Sequence, residues 1–192
     1  HGAGYLDQFR AKHADQIVGE MEFLKNKYQT KHFLFTDESF PPALFIKLPP
    51  LMIEAKLDIY WTTLIRFEEL LVEPETWDLA AQSGCRSLYF GLESANDRII
   101  KLVKKDTKID VAIKNLKEAK RVGIWSHVMG FYGFPSETEE EAEDTRRFLL
   151  DSQDIIHSVE MYFFVLYKNA PVFKNSEGCD IQVLNNPEHD LA

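Results

Sequence analysis

The sequence predicts an α/β protein built as a partial parallel β/α barrel, TIM-barrel-like, of about five β/α units. Short, mostly apolar strands alternate with amphipathic helical segments. Strand starts near residues 32, 59, 87, 124 and 159 recur at roughly 30 residues, the size of a β-α unit. Parallel strands covered by helices are the packing that such alternation demands. An open doubly wound sheet would share these features. No glycine-rich phosphate loop follows the first strand, so the barrel is favoured.

Each element has its own signal. Ile17, Met21, Leu24 and Tyr28 recur at helical spacing and predict a helix over residues 14–28. His32-Phe33-Leu34-Phe35-Thr36 reads as a strand that stops at Asp37. Residues 43–56 look helical, but Pro49-Pro50 should split them. Asp58 to Phe67 is the second strand. Pro74 and Gly84 bracket the next helix, and Arg86 to Phe90 is a strand ending at Gly91. Ile109, Ile113 and Leu116 mark a longer helix closed by Gly123, and Ile124 to Tyr132 is the fourth strand. Ser136-x-x-Glu139 reads as a capping box opening a helix to about Ser152. A last strand runs from Val159 to Leu166, and the tail after Pro171 reads as irregular. The expected division is therefore a barrel core over residues 1–171 and an irregular extension over 172–192.

Composition narrows the function. The chain has 192 residues, with 22 Lys+Arg against 31 Asp+Glu and a net charge of −9. That balance argues against a general nucleic-acid or lipid-surface binder, since a polyphosphate partner would be repelled. No apolar run approaches the roughly 20 residues of a spanning helix. Two cysteines, Cys85 and Cys179, lie far apart, which excludes a disulfide framework and zinc-finger spacing. A reducing cytoplasm is the expected location. His32, His127 and His157 do not stand at metal-ligand spacing. His127 reads as a residue of the core or the rim, Cys85 as a buried structural thiol, and Trp61 and Trp125 as core.

In parallel β/α folds the ligand lies at the carboxyl ends of the strands. Here those ends carry Asp37-Glu38, then Arg66 with Glu68, then Gly91-Leu92-Glu93-Ser94, then Gly130 to Thr138. Paired carboxylates can hold an ammonium or a hard metal, or act as acid and base. Glycines 91, 130 and 133 allow close approach to a flat ligand. Glu93 can accept ribose hydroxyls or pair with a cation, and Arg66 can fork onto a carboxylate. The acidic run Glu137 to Asp144 reads as a solvated helix start.

In order along the chain, these segments resemble the radical S-adenosylmethionine (SAM) superfamily. The resemblance is strongest to the branch in which a cobalamin-binding domain often precedes the radical domain. It rests on Phe35-Thr36-Asp37-Glu38-Ser39-Phe40, Trp61-x4-Arg66, Gly84 to Ser94 and Gly130 to Thr138. Leu166-Tyr167-Lys168-Asn169-Ala170-Pro171 stands where a Pro-Gly-Thr-like turn is common. The resemblance implies a partial (β/α)6 barrel that binds SAM and a [4Fe–4S] cluster. One electron from the cluster would cleave SAM to methionine and a 5′-deoxyadenosyl radical, which abstracts hydrogen from a substrate. Asp37 or Glu38 would accept the SAM ammonium, and Glu93 would meet the ribose or methionyl part. Gly130, Gly133 and Pro135 would pack on the adenine, and Arg66 would face the methionyl carboxylate or the substrate. It further implies a small-molecule substrate and an electron donor such as flavodoxin or ferredoxin.

The C-x3-C-x2-C loop of that family is absent, and Cys85 and Cys179 do not replace it. The chain lacks an initiator Met and opens with a helix that should follow a strand. The expectation is a fragment, inactive by itself, whose first strand and cluster loop lie upstream. A metal-dependent hydrolase or isomerase using Asp37, Glu38 and Glu93 is one alternative. A non-catalytic SAM-binding domain is another.

Overall fold

A computed structural model describes residues 12–37, 39–167 and 181. In chain order the elements are α1 (Ala14–Tyr28), β1 (His32–Leu34), α2 (Pro42–Glu54), β2 (Tyr60–Ile65), α3 (Pro74–Gln82) and β3 (Cys85–Glu93). They continue with α4 (Asp97–Leu102), α5 (Ile109–Arg121), β4 (Trp125–Tyr132), α6 (Glu139–Asp151) and β5 (Ser158–Phe163), and a 3-10 turn spans Glu69–Leu71. The strands form one sheet in the order β1-β2-β3-β4-β5, each pair parallel.

That order decides between the two forms open to the sequence. A doubly wound sheet reverses its strand order and places helices on both faces. This sheet never reverses, and right-handed crossovers then put every helix on the same side, as in a barrel. Burial alternates accordingly. Trp61, Thr63 and Ile65 of β2 are buried, as are Leu88, Phe90 and Leu92 of β3, and all point toward the helices. Phe45, Leu48 and Met52 of α2 and Trp77 and Ala80 of α3 meet them there. Trp77 lies 5.5 Å from Phe45 in a T-shaped pair. The opposite face, carrying Leu34, Tyr60, Trp125 and Tyr162, is left exposed. The barrel is open along this side.

Several local expectations need correction. Pro49 and Pro50 do not split α2, which runs unbroken through both. Each proline removes one backbone donor, but Pro49 is itself buried in the core with Phe45 and Leu48, and that packing outweighs the lost bonds. Strand β1 ends at Leu34, although the Phe35 N–H still donates to the Thr62 carbonyl at 3.0 Å. Ser136 does not cap α6. It lies at φ 70, outside the extended region a cap needs, and Thr138 and Glu141 form the capping box instead. Trp125 is not core: it stands half exposed on the open face. Short helix α4 had no expectation; Asn96 caps it by accepting the Arg98 and Ile99 N–H groups at 3.0 and 3.3 Å. Most of the expected irregular tail, residues 172–192, lies outside the described residues, as do Glu38 and Cys179.

Gly84 joins α3 to β3 at φ 97, and a Cβ there would lie 1.9 Å from the Ile59 carbonyl oxygen. Gly84→Ala should destabilise the fold by about 3 kcal/mol, combining left-handed strain with overpacking. Gly123→Ala, at φ 75 with open space around it, should cost only about 1 kcal/mol. Urea unfolding of the two variants checks the contrast.

Candidate cofactor-binding rim

The carboxyl ends of the strands gather the charged residues singled out above. Asp37 follows β1 and is exposed; the chain returns to the sheet where the Phe40 N–H donates to the Leu64 carbonyl at 2.9 Å. Glu38 lies between them, outside the described residues.

Arg66 follows β2, one step past the Ile65–Phe90 register pair. Phe67 fixes its exit by stacking on Phe90, with ring centroids 4.6 Å apart and planes within 4°. Buried Asn115 of α5 holds the turn beyond, accepting the Glu68 N–H at 3.1 Å and donating to the Leu71 carbonyl at 3.1 Å. Glu68 Oε1 stands 3.7 Å from Arg66 Nε, too far for a hydrogen bond. Arg66 Nε is therefore buried without an acceptor. Such an orphaned donor is costly, and a bound anion would satisfy it.

Glu93 ends β3 rather than following it, because a register shift between Gly91 and Glu93 carries the strand past the glycine. Its backbone is left-handed, at φ 66, a conformation that a non-glycine side chain holds only under constraint. The carboxylate folds back over Gly91, where a Cβ would meet Glu93 Oε1 at 3.0 Å. The Glu93 carbonyl presses on Gly130, whose Cβ would lie 2.8 Å from it. Both glycines thus make room for Glu93. Lys105, on the loop after α4, pairs with Glu93 Oε1 at 3.0 Å, and both side chains are about a quarter exposed.

The turn after Glu93 is tied to α6. Ser94 Oγ and Thr145 Oγ1 lie 3.1 Å apart, the Ala95 N–H donates to Thr145 Oγ1 at 3.0 Å, and Asn96 Nδ2 donates to Asp144 at 2.8 Å. Gly133 and Pro135 sit in the loop between β4 and α6. Arg98 clamps that loop, donating to the Ser136 carbonyl at 2.6 Å and to both Glu141 oxygens at 2.5 Å. Glu137 accepts the Gly133 and Phe134 N–H groups at 2.5 and 3.3 Å. The acidic run is thus more than a solvated helix start: Glu137, Glu141 and Asp144 each hold part of the rim.

Lys105 and Arg98 were not singled out from the sequence. The partners of Arg98 lie on another β/α unit, and Lys105 meets Glu93 only because α4 turns the chain back, so neither spacing nor periodicity marks them. The one cue was local: Arg98 follows the Asn96 cap by two residues.

The rim's chemistry fits an organic ligand that carries both charges. Arg66 and Lys105 offer cations, Asp37 and Glu93 carboxylates, and the Gly133–Pro135 loop an edge of backbone. The residues do not fit an iron–sulfur cluster. Cys85 is buried on the helix side, where burial pushes its thiol well above the ordinary value. Among the described residues no group of three or more His, Cys, Asp or Glu could hold a metal ion. No helix among them is long and apolar enough to cross a membrane.

A singly wound parallel sheet with such a rim defines a β/α-barrel domain whose carboxyl end presents both charges to a ligand. The Radical SAM superfamily profile matches residues 4–149, and the chain belongs to that superfamily. Family members use SAM and a [4Fe–4S] cluster. An uncharacterized methyltransferase of Pyrococcus horikoshii is 31% identical over 150 residues, covering 73% of this chain and 31% of that protein. The bacteriochlorophyllide d C-12(1)-methyltransferase of Chlorobaculum tepidum is 29% identical over 157 residues, covering 78% and 33%. The radical SAM methyltransferase TsrM of Kitasatospora setae, solved with cobalamin and a [4Fe–4S] cluster, has the same fold. It superposes with a TM-score of 0.75 at 16% identity, over 88% of this chain and 32% of its own. The chain thus spans about a third of the length of the curated relatives it matches.

Arg98 holds the Glu141 carboxyl down to about 2, helped by the Thr138 backbone N–H. A depressed carboxyl stabilises the fold above its ordinary pKa and loses that contribution as pH falls toward the folded value. The melting-temperature gap between the wild type and Glu141→Gln should hold above about pH 5 and close near about pH 2. Thermal melts across that range check it.

Proposed function

We propose that this chain is the SAM-binding core of a radical SAM enzyme. Its [4Fe–4S] cluster would be held by cysteines of a longer protein, since the described residues here cannot hold it. The observation that carries the proposal is the Glu93 carboxylate, folded over Gly91 and paired with Lys105 beside the unpartnered Arg66 Nε. When bound to the reduced cluster, SAM supplies a 5′-deoxyadenosyl radical to a small-molecule substrate.

The residues of this chain bind and orient it. Asp37 or Glu38 accepts the SAM ammonium. Glu93 accepts the ribose hydroxyls, and the bulge at Gly91 sets the direction of its carboxylate. Arg66 and Lys105 supply cations for the methionyl carboxylate; Arg66 satisfies its orphaned Nε–H in doing so. The loop from Gly130 through Gly133 to Pro135 lies along the adenine, and Arg98 keeps it in place. In the whole enzyme an electron donor such as flavodoxin or ferredoxin reduces the cluster in the cytoplasm, and the acidic charge balance opposes general nucleic-acid binding. The methyltransferase and cobalamin-bound relatives support a cobalamin-binding segment in the longer protein and methyl transfer as its reaction.

The chain as given should bind SAM in isothermal titration calorimetry. Glu93→Gln should weaken binding about tenfold, the worth of one charge-assisted hydrogen bond. Lys105→Met should weaken it by a similar factor. Absence of any saturable heat with the wild type would overturn the proposal. The longer protein should purify anaerobically as a brown protein that consumes SAM under reducing conditions.

A further inference from the structure

Away from the rim, the open face of the sheet carries a second ordered group of polar side chains. Parallel pairing sets Tyr89 beside His127 and His127 beside Ser158, and Glu160 lies two residues further along β5 on the same face. His127 Nδ1 lies 2.6 Å from Ser158 Oγ, and its Nε2 lies 3.3 Å from Glu160 Oε2. The Trp125 indole N–H donates to Ser158 Oγ at 3.3 Å. Tyr162, two residues further along β5, joins His127 in holding the Glu160 carboxyl below its ordinary value.

The direction of these bonds follows from what each group can do. A carboxylate only accepts, so neutral His127 carries its proton on Nε2 and gives it to Glu160. Nδ1 then accepts from the Ser158 hydroxyl, whose oxygen takes the Trp125 N–H. Every donor points along one line toward Glu160. The carboxylate is held by His127, yet its side chain is 47% exposed, so it keeps acceptor capacity toward the open face. Among the described residues no Lys or Arg lies within ion-pair reach of it; its only recorded partner of that kind is His127. Aromatic rings share this face: the Tyr89 ring lies 4.9 Å from His127, and Trp125 is half exposed.

A solvated surface carboxylate needs no such support. An exposed anion held by a histidine N–H, on a face that also carries aromatic rings, is complementary to a positive charge on a flat group. We propose that Glu160, positioned by His127, recognises a ligand with a planar conjugated group bearing a cationic nitrogen, seated against Tyr89 and Trp125. This rests on the open face being the ligand side of the domain, as the proposed function requires, but not on SAM itself being bound.

The test titrates the chain with benzamidinium chloride, sodium benzoate and benzyl alcohol, reading tryptophan fluorescence. Trp61 and Trp77 are fully buried, so quenching by a bound ring reports on Trp125, and Trp125→Phe should abolish it. Benzamidinium should quench saturably, and benzoate and benzyl alcohol should not. Glu160→Gln should weaken benzamidinium binding about tenfold, the loss of a charge-assisted contact. His127→Gln should weaken it less. Equal quenching by benzoate, no saturable quenching by benzamidinium, or unchanged binding in Glu160→Gln would overturn the proposal. Glu93→Gln separates the two sites: it should weaken SAM binding and leave benzamidinium binding unchanged. A wild-type chain that binds benzamidinium but not SAM would overturn the proposed function alone.

Discussion

One-way winding of the parallel sheet is the constraint on which the rest depends. Parallel β/α crossovers follow the right-handed rule, and the strand order never reverses. All helices therefore pack on one face, where Trp61, Phe90 and Leu88 meet Phe45 and Trp77. That packing uses the apolar surface of the helices on one side only. The other face is left to line the interior of a barrel, and it carries Tyr89, His127 and Glu160 instead of a second helical layer. The same winding brings every strand out at one end, so residues separated by a whole β/α unit become neighbours on the rim.

Glu93 shows how that geometry becomes chemistry. A carboxylate at the tip of a central strand would ordinarily extend into solvent. Here a register shift turns its backbone left-handed, Gly91 vacates the space the side chain needs, and Gly130 admits its carbonyl. Lys105 then balances the charge from the loop that follows α4. The strain at one residue is held by three others, the arrangement expected where direction matters more than local stability. Arg98 does comparable work on the neighbouring loop, joining α4, Ser136 and Glu141 so that the β4–α6 turn is held from both ends.

Much of this was legible in the chain, and the misses share a cause. Helices α1, α3 and α5 follow from apolar spacing with their Pro and Gly punctuation, and the rim follows from the rule that ligands meet strand ends. The Pro49-Pro50 break failed because tertiary burial outweighed a local rule. The cap was displaced from Ser136 to Thr138 because the preceding loop puts Ser136 in a left-handed conformation. Trp125 was taken for core because an apolar strand residue carries no mark of which face it occupies. Glu38, the partner of Asp37 in the proposed site, lies outside the described residues.

The sequence by itself determined the alternation of strands and helices, the one end at which charge collects, and the family to which the chain belongs. These depend on residue order and local periodicity, which the chain carries directly. Only the tertiary structure decided that the helices take one face, that Lys105 and not a nearer residue pairs with Glu93, and that His127 points its proton at Glu160. Those facts depend on how the helices pack, on the path of the loop after α4 and on the register of β4 with β5, none of which is set by a neighbour in sequence.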